Sequence, residues 1–268
     1  SGGLARYDIS TGVWSSIGVA GTVNGTVYSI YPTGAETYYF GGSFTDAFGI
    51  TTADNIARHS VFLHTPNIYA LGSGLSSTVY AMTMSGGYLY AGGSFKNAGG
   101  VASADYIAKW DGGAWTSLGS GLNSTVYDIA ADGNNVFAAG TFTNAGGDAD
   151  ADYFAYYDGY TWQGCQTGYY PRALAVLNNY VYVGGMFTTI GTKNWEYLAR
   201  YGTVPSVTAI TPSATQNICE GSSVTFSVTA TGTGLSYQWY KNASIVSGAT
   251  TSSLTINPLT TSHAGDYN

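Results

Sequence analysis

Residues Thr78–Gly119 read TVYAMTMSGGYLYAGGSFKNAGGVASADYIAKWDGGAWTSLG, and the rest of the chain copies this stretch. It recurs from Thr26 to Gly72, from Thr125 to Gly164 and, incompletely, from Pro171 to Gly202. Four marks hold the register: Gly41-Gly42, Gly92-Gly93, Ala139-Gly140 and Gly184-Gly185; Phe44, Phe95, Phe142 and Phe187; Ile56-Ala57, Ile107-Ala108, Phe154-Ala155 and Leu198-Ala199; and Ile68, Trp115 and Trp162, with Trp14 ahead of them. Among the four copies from Thr26 onward, equivalent marks lie from 44 residues (Phe154 to Leu198) to 52 residues (Thr26 to Thr78) apart. Repeats of that period build propeller blades or solenoid units.

Each complete copy divides into four short β-prone runs, in Thr78–Gly119 at Val79–Met84, Tyr88–Phe95, Tyr106–Trp110 and Trp115–Leu118. Ser85-Gly86-Gly87 and Asp111-Gly112-Gly113 supply the hairpin turns, because glycine reaches positive φ without a Cβ clash. Four antiparallel strands per copy make a blade, which buries its faces only against its neighbours. The apolar register marks therefore belong at blade contacts, and Cys165, in the slot of Ile17, Leu71 and Leu118, reads as a small buried hydrophobe. The chain enters in mid-repeat at Leu4–Gly18, LARYDISTGVWSSIG, so strands three and four precede three complete copies, and strands one to three follow. Either Trp14–Ile17 closes a four-bladed ring as its missing last strand, or earlier blades are missing from the amino end.

Composition fits an all-β extracellular protein: 268 residues with 38 glycines and 24 tyrosines, and only 9% charged. No apolar run reaches the roughly 18 residues of a membrane span. Ser1 reads as the start of a mature or trimmed product, so a missing leader carries no information. A net charge of −7 with eight Lys and Arg argues against nucleic acid, whose phosphates need clustered cations.

The order VYAM, YLYAGGSF, IAKWD and W-x-x-LG resembles the kelch-type propeller blade over residues 4–202. The stretch IAKWDGGAWTSLGSGLNSTVYDIAADGNNVFAAGTFTNAGG is similar to propeller repeats of secreted bacterial surface proteins. The resemblance implies a fold and a location, since kelch-like propellers include an oxidase as well as many binding modules.

After the propeller, placed at residues 1–203, TVPSVTAITPSATQ marks a Thr/Ser/Pro-rich linker over 204–214. Residues 215–268 resemble an immunoglobulin-like domain. Val224, Phe226 and Val228 alternate as a core-facing strand, Trp239 in YQWYK takes the buried tryptophan position, and Tyr267 after AGD takes the tyrosine-corner position. Val228 stands where the first disulfide cysteine is usual, and His263 where Asp is usual. Asn268 falls before the expected second cysteine and last strand, so the domain reads as incomplete and the natural polypeptide as continuing, with a partner for Cys219 downstream. Cys165 and Cys219, in different domains, are not expected to pair. The pattern CEGSSVTFSVTATGTGLSYQWYKN is similar to immunoglobulin-like modules in large secreted proteins of Bacteroidota, many of them type IX secretion substrates.

Candidate chemistry is sparse. Asp148, Asp150 and Asp152 alternate as Ca²⁺ ligands do, yet a full site needs about six to eight oxygens. Asp54, Asp105 and Glu196 recur at the place of Asp152, which assigns it a structural role and the segment a solvated loop. Arg6, Arg58, Lys109 and Arg200 share a register position, with Tyr156 in the remaining copy, and read as packing residues or as partners of the recurring acids. The spacings Asp111…Trp115 and Asp158…Trp162 resemble the turn motif of sialidase propellers, a folding device. His59, His64 and His263 are unclustered, and no catalytic triad, H-E-x-x-H or phosphate loop is present. Surface tyrosines suit glycan stacking or protein contact. The expectation is a noncatalytic binding or structural module of a secreted or cell-surface bacterial protein, adhesin-like or a sheath component, with no catalytic or cofactor residues. Its partners are then a protein or glycan surface ligand, and the secretion machinery or further domains of the same polypeptide. The alternative is a carbohydrate-active propeller enzyme with acidic residues at the ring mouth, which requires a carboxylate pair about 5 to 10 Å apart.

Overall fold

The computed structural model describes residues 4–17, 21–34, 36–62, 65–133, 135–165, 167–178, 180–190, 193–194, 196–201, 206–231, 237–242 and 244–268. Gly18, His64, Gly202 and the boundary at 203–205 lie outside them. The chain divides into two compact units, Ser1–Tyr201 and Gly202–Asn268.

In chain order the first unit carries β1 (Ala5–Asp8), β2 (Val13–Ser16), β3 (Asn24–Gly34), β4 (Thr37–Thr45), β5 (Ile56–Phe62), β6 (Thr65–Ala70), β7 (Val79–Ser85), β8 (Tyr88–Gly93), β9 (Ile107–Trp110) and β10 (Trp115–Thr116). It continues with β11 (Val126–Asp132), β12 (Asn135–Gly140), β13 (Phe154–Tyr157), β14 (Trp162–Gly164), β15 (Pro171–Leu177), β16 (Tyr180–Gly185), β17 (Thr189–Ile190), β18 (Lys193–Asn194) and β19 (Leu198–Tyr201). β3 to β6, β7 to β10 and β11 to β14 each form a four-stranded antiparallel sheet, β15, β16 and β19 form a three-stranded one, and β1 pairs only with β2. The four sheets share one irregularity, a register shift after Val27, Val79, Val126 and Pro171 in their first strands.

Neighbouring sheets pack through the same slots. Between the first and second lie Tyr39, Ile56, Leu71, Val79, Met82 and Trp115; between the second and third lie their equivalents Tyr90, Ile107, Leu118, Val126, Ile129 and Trp162. The outer hairpin β1–β2 lays Leu4 and Ile17 on Phe40, Phe44 and Ile68 of the first sheet. Leu71, Leu118 and Cys165 are buried, whereas Ile17 is only half-buried. Among the described residues its sheet is the two-stranded pair β1–β2.

The paired glycines are required by two different contacts. A Cβ on Gly41 or Gly92 would lie 2.6 or 2.7 Å from Val79 or Val126 of the next sheet. One on Gly42, Gly93 or Gly140 would meet the backbone oxygen of Thr26, Thr78 or Thr125 at 1.9 to 2.1 Å, where the bulged first strand crosses. After the glycines the chain turns at Asp46, Asn97 or Asn144, each left-handed at φ 49 to 52°, into a single 3-10 turn. In the fourth copy Thr189 holds that place; a β-branched residue disfavours positive φ, and the short hairpin β17–β18 forms instead.

Exposure differs between the middle of the stack and its first and last sheets. Three copies bury their third-strand leader completely, with Ile56, Ile107 and Phe154 at 0% exposure, whereas Leu198 in the same slot of the fourth is 68% exposed. At the other end Ile30 is 56% exposed, although its counterparts Met82 and Ile129 are buried.

The second unit holds β20 (Ser206–Thr211), β21 (Val224–Thr231), β22 (Tyr240–Lys241), β23 (Ser244–Ile245) and β24 (Ser253–Ile256). The order β20-β21-β24 gives one sheet, and β22 pairs with β23 and touches Tyr267 through an isolated bridge at Lys241. Residues 206–211 were expected in the linker 204–214 and are instead an edge strand, hydrogen-bonded to β21 from Ser206 to Thr211. Trp239 is buried, packs 6.3 Å from Phe226, and donates its indole N–H to the Thr251 carbonyl at 2.9 Å. Phe226 stacks on Tyr267 at 4.7 Å, and the Tyr267 hydroxyl donates to the His263 carbonyl at 2.9 Å, closing a corner four residues wide. The imidazole of His263 is engaged as well, its Nδ1 accepting the Thr260 N–H at 3.0 Å.

Candidate functional site

The recurring acids are structural in their contacts. Oδ1 of Asp54, Asp105 and Asp152 accepts the backbone N–H of Asp46, Asn97 and Asn144 at 2.7 to 2.8 Å, fixing the left-handed residue that opens each 3-10 turn. Asp148 accepts the N–H of Asp150 at 3.0 Å and that of Gly164 at 2.9 Å, so its carboxylate ties the loop to β14. Among the described residues no group of three or more His, Cys, Asp or Glu is arranged to hold a metal ion. Asp8, Asp111 and Asp158 each accept two backbone N–H groups two and three residues on, the side-chain turn that lets strand three return as strand four. The Ser10 hydroxyl, at 2.6 Å, and then the two backbone bonds hold the Asp8 carboxyl below the usual aspartate value, and the Ala114 and Gly113 N–H groups do the same for Asp111.

The shared cation slot is filled by packing. Arg58 lies over Tyr69 at 4.7 Å, Lys109 over Tyr88 at 4.6 Å and Arg200 over Tyr180 at 4.0 Å, while Arg6 bonds Glu36 at 2.7 Å on the surface. None of them meets the recurring Asp54, Asp105 or Asp152 in these contacts, so of the two expected roles the structure displays the first. His59 is buried against Tyr38 at 4.7 Å, and burial pushes the Tyr38 hydroxyl up to about 12. Burial likewise pushes the Cys165 thiol up to about 12, which leaves it unreactive. Cys165 and Cys219 are both free, the second exposed.

What the sequence did not single out is a row of rings along the first strands. Tyr28, Tyr80 and Tyr127 occupy one register position in β3, β7 and β11, with centroids 5.4 and 5.9 Å apart; Tyr170, just before β15, continues the row 5.7 Å from Tyr127. Tyr169 lies 4.3 Å beyond. In β15 the register position itself carries Arg172, whose guanidinium sits over the rings of both Tyr127 and Tyr170, at 4.7 and 5.1 Å. Hydrogen bonds from Tyr169 and Arg172 lower the Tyr170 hydroxyl below the ordinary tyrosine value. Tyr28 and Tyr169 are exposed and the others half-buried, so the row presents ring edges and hydroxyls with a single cation at one end. Beside it, Asp128 binds two sheets together: its carboxylate accepts Ile129 N–H at 2.9 Å and Leu174 N–H of β15 at 2.6 Å. Burial raises its carboxyl above the ordinary value, against the pull of those two bonds.

The second unit offers a different surface, a groove of about 1170 Å³ in which Phe226, Trp239 and Leu259 are mixed with polar residues such as Gln216, Glu220 and Asp266. A family model described as an Ig-like domain, CHU_C associated, matches residues 205–267. This unit is an immunoglobulin-like domain. The match takes in β20, in agreement with its pairing in the sheet. No curated protein matches the chain. Solved structures similar to it include the computationally designed Ika4 protein, 15% identical over 65% of this chain and 92% of that one with a TM-score of 0.42. Another is the computationally designed Ika8 protein, 16% identical over 85% of this chain and 74% of that one with a TM-score of 0.38.

Proposed function

We propose that the chain is a noncatalytic binding module of a secreted or cell-surface bacterial protein, and that its repeats form a kelch-like propeller whose tyrosine row takes an extended glycan. The row carries this reading: regularly spaced rings, each with a polar hydroxyl, offer a pyranose chain apolar faces and hydrogen bonds without loss of side-chain freedom, since the rings already pack on one another. Arg172, held between two rings, adds a fixed positive charge suited to a uronic acid or sulfated sugar at that end. The immunoglobulin-like domain belongs to a family associated with Bacteroidota surface proteins, which supports an adhesin-like setting and a noncatalytic role. No helix among the described residues is long and apolar enough to cross a membrane. Asp128, the carboxyl raised by burial, is committed to two backbone donors and serves as a clamp between sheets.

Calorimetric titration with neutral and uronic-acid oligosaccharides tests the reading. Tyr80→Ala with Tyr127→Ala is expected to abolish binding of both, and Arg172→Gln to weaken only the acidic chains by about tenfold, the size of one charge-assisted hydrogen bond. Unchanged affinity in the tyrosine double variant contradicts the proposal.

A further inference from the structure

The residue ahead of the third strand is left-handed in all four sheets: Asn55, Tyr106, Tyr153 and Tyr197 lie there at φ 60 to 64°. The same two backbone bonds hold each of them. Its N–H donates to the carbonyl of Phe44, Phe95, Phe142 or Phe187, and its carbonyl accepts from Gly42, Gly93, Gly140 or Gly185, all at 2.9 to 3.0 Å. The fold therefore requires positive φ at this place but no particular side chain. Asparagine tolerates it, and Asn55 uses the slot to donate to the Leu75 carbonyl at 2.7 Å. A bulky ring is disfavoured there.

Tyr153 has a contact that accounts for its ring. It lies 6.3 Å from Tyr169, which is 4.3 Å from Tyr170, which is 5.7 Å from Tyr127. Tyr127 and Tyr153 belong to the third sheet, whereas Tyr169 and Tyr170 lead into the fourth, so four rings meet at that junction. The corresponding residues are Tyr28, Asn55, Ser77 and Thr78 at the first junction and Tyr80, Tyr106, Ser124 and Thr125 at the second. Tyr106 packs on the core between the second and third sheets, with Lys96 over its ring at 5.5 Å. Beside the four rings stands Arg172, exposed, bonded to the Tyr170 hydroxyl at 3.4 Å and, among the described residues, in no ion pair.

We propose that Tyr153, Tyr169 and Arg172 form the anchoring subsite of the tyrosine row and that it takes one acidic sugar. This rests on the glycan reading given above and gives that site an end and a direction. The guanidinium covers Tyr127 and Tyr170, so the apolar face of the sugar stacks on the two remaining rings, Tyr169 and Tyr153, and its carboxylate meets Arg172. The sugars that follow run along Tyr127, Tyr80 and Tyr28. Tyr153 is the specificity-determining residue of the subsite. Its unfavourable backbone conformation is enforced by bonds from both sides, and strain of this kind is kept at ligand sites.

The test titrates the full chain with oligogalacturonate and with its methyl ester, which keeps the rings and linkages and loses the charge. The unmodified chain is expected to bind the acid more tightly than the ester. Tyr153→Asn, which suits the left-handed backbone, should weaken both about tenfold, the size of one lost ring contact, and keep the preference for the acid. Its unfolding midpoint should not fall below that of the unmodified chain. Tyr153→Phe retains the ring and should bind within about threefold of the unmodified chain. Tyr106→Asn makes the same change one copy earlier and should leave both affinities as they are. Unchanged binding by Tyr153→Asn, with binding abolished in the Tyr80→Ala/Tyr127→Ala chain, overturns the subsite and leaves the row standing. Equal losses in Tyr153→Asn and Tyr106→Asn also overturn it, because the effect then comes through the backbone that the copies share. An unmodified chain that binds neither oligosaccharide overturns the subsite and the glycan reading together.

Discussion

Trp115 shows how much one register mark carries. Its ring fills the contact between the first two sheets at 3% exposure, and its N–H satisfies the Leu71 carbonyl at 3.1 Å. Trp115→Phe keeps most of the apolar contact and loses that bond, while the Gly74 N–H still reaches the Leu71 carbonyl at 3.2 Å, so it is expected to cost about 0.5 to 1.5 kcal/mol in denaturant unfolding; no measurable change would mean that the bond is not made. Asp128 is a residue that the repeat did not announce, because its register companions are Ser29, Ala81 and Ala173. With its carboxyl raised by burial, the folded state holds the proton more tightly than the unfolded chain. Its contribution to stability is therefore greatest below the unfolded value and is lost as pH rises through the folded one. Asp128→Asn keeps an acceptor for Leu174 and removes the titration. The stability of the unmodified protein relative to this variant should fall as pH rises through the carboxylate range, and a pH-independent difference would contradict the assignment. Cys165 and Cys219 differ as plainly: a thiol reagent should label one cysteine in the native protein and both after denaturation.

Among elements, the strands that alternate or recur were legible and those that do neither were not. The four runs of Thr78–Gly119 appear as β7, one residue longer, and β8 to β10 with trimmed ends, and the close contacts of Gly92 and Gly93 have counterparts at Gly41, Gly42 and Gly140. β20 was hidden by Pro205 and Pro212 on either side of it and by its Thr/Ser content. It lies at a sheet edge, and Val207 and Ile210 are exposed, so it lacks the apolar signature of a core strand. The tyrosine row was hidden for the opposite reason: tyrosine is common throughout, and only the packing of first strands shows which rings line up. In the immunoglobulin-like domain Trp239, Phe226 and Tyr267 took the places that the pattern assigned. Trp239→Ala should cost that domain about 3 to 5 kcal/mol, the range for deleting a large buried aromatic, and calorimetry showing an unchanged second transition would speak against a packed sandwich.

Across the whole molecule one interface is used repeatedly: each sheet is held by the next, and among the described residues the last sheet leaves Leu198 of the same face exposed. Gly92 and Gly184 are equivalent positions on that face, and neither requires positive φ. A Cβ on Gly92 would fall 2.7 Å from Val126 and 2.9 Å from Ile129, whereas one on Gly184 meets nothing closer than 3.8 Å. The most direct measurement is the unfolding free energy of Gly92→Ala and Gly184→Ala at a concentration where the chain is monomeric. Gly92→Ala is expected to lose about 1 to 3 kcal/mol through overpacking, and Gly184→Ala to change stability by no more than about 0.5 kcal/mol. Equal costs at the two positions would contradict the stacked-sheet account.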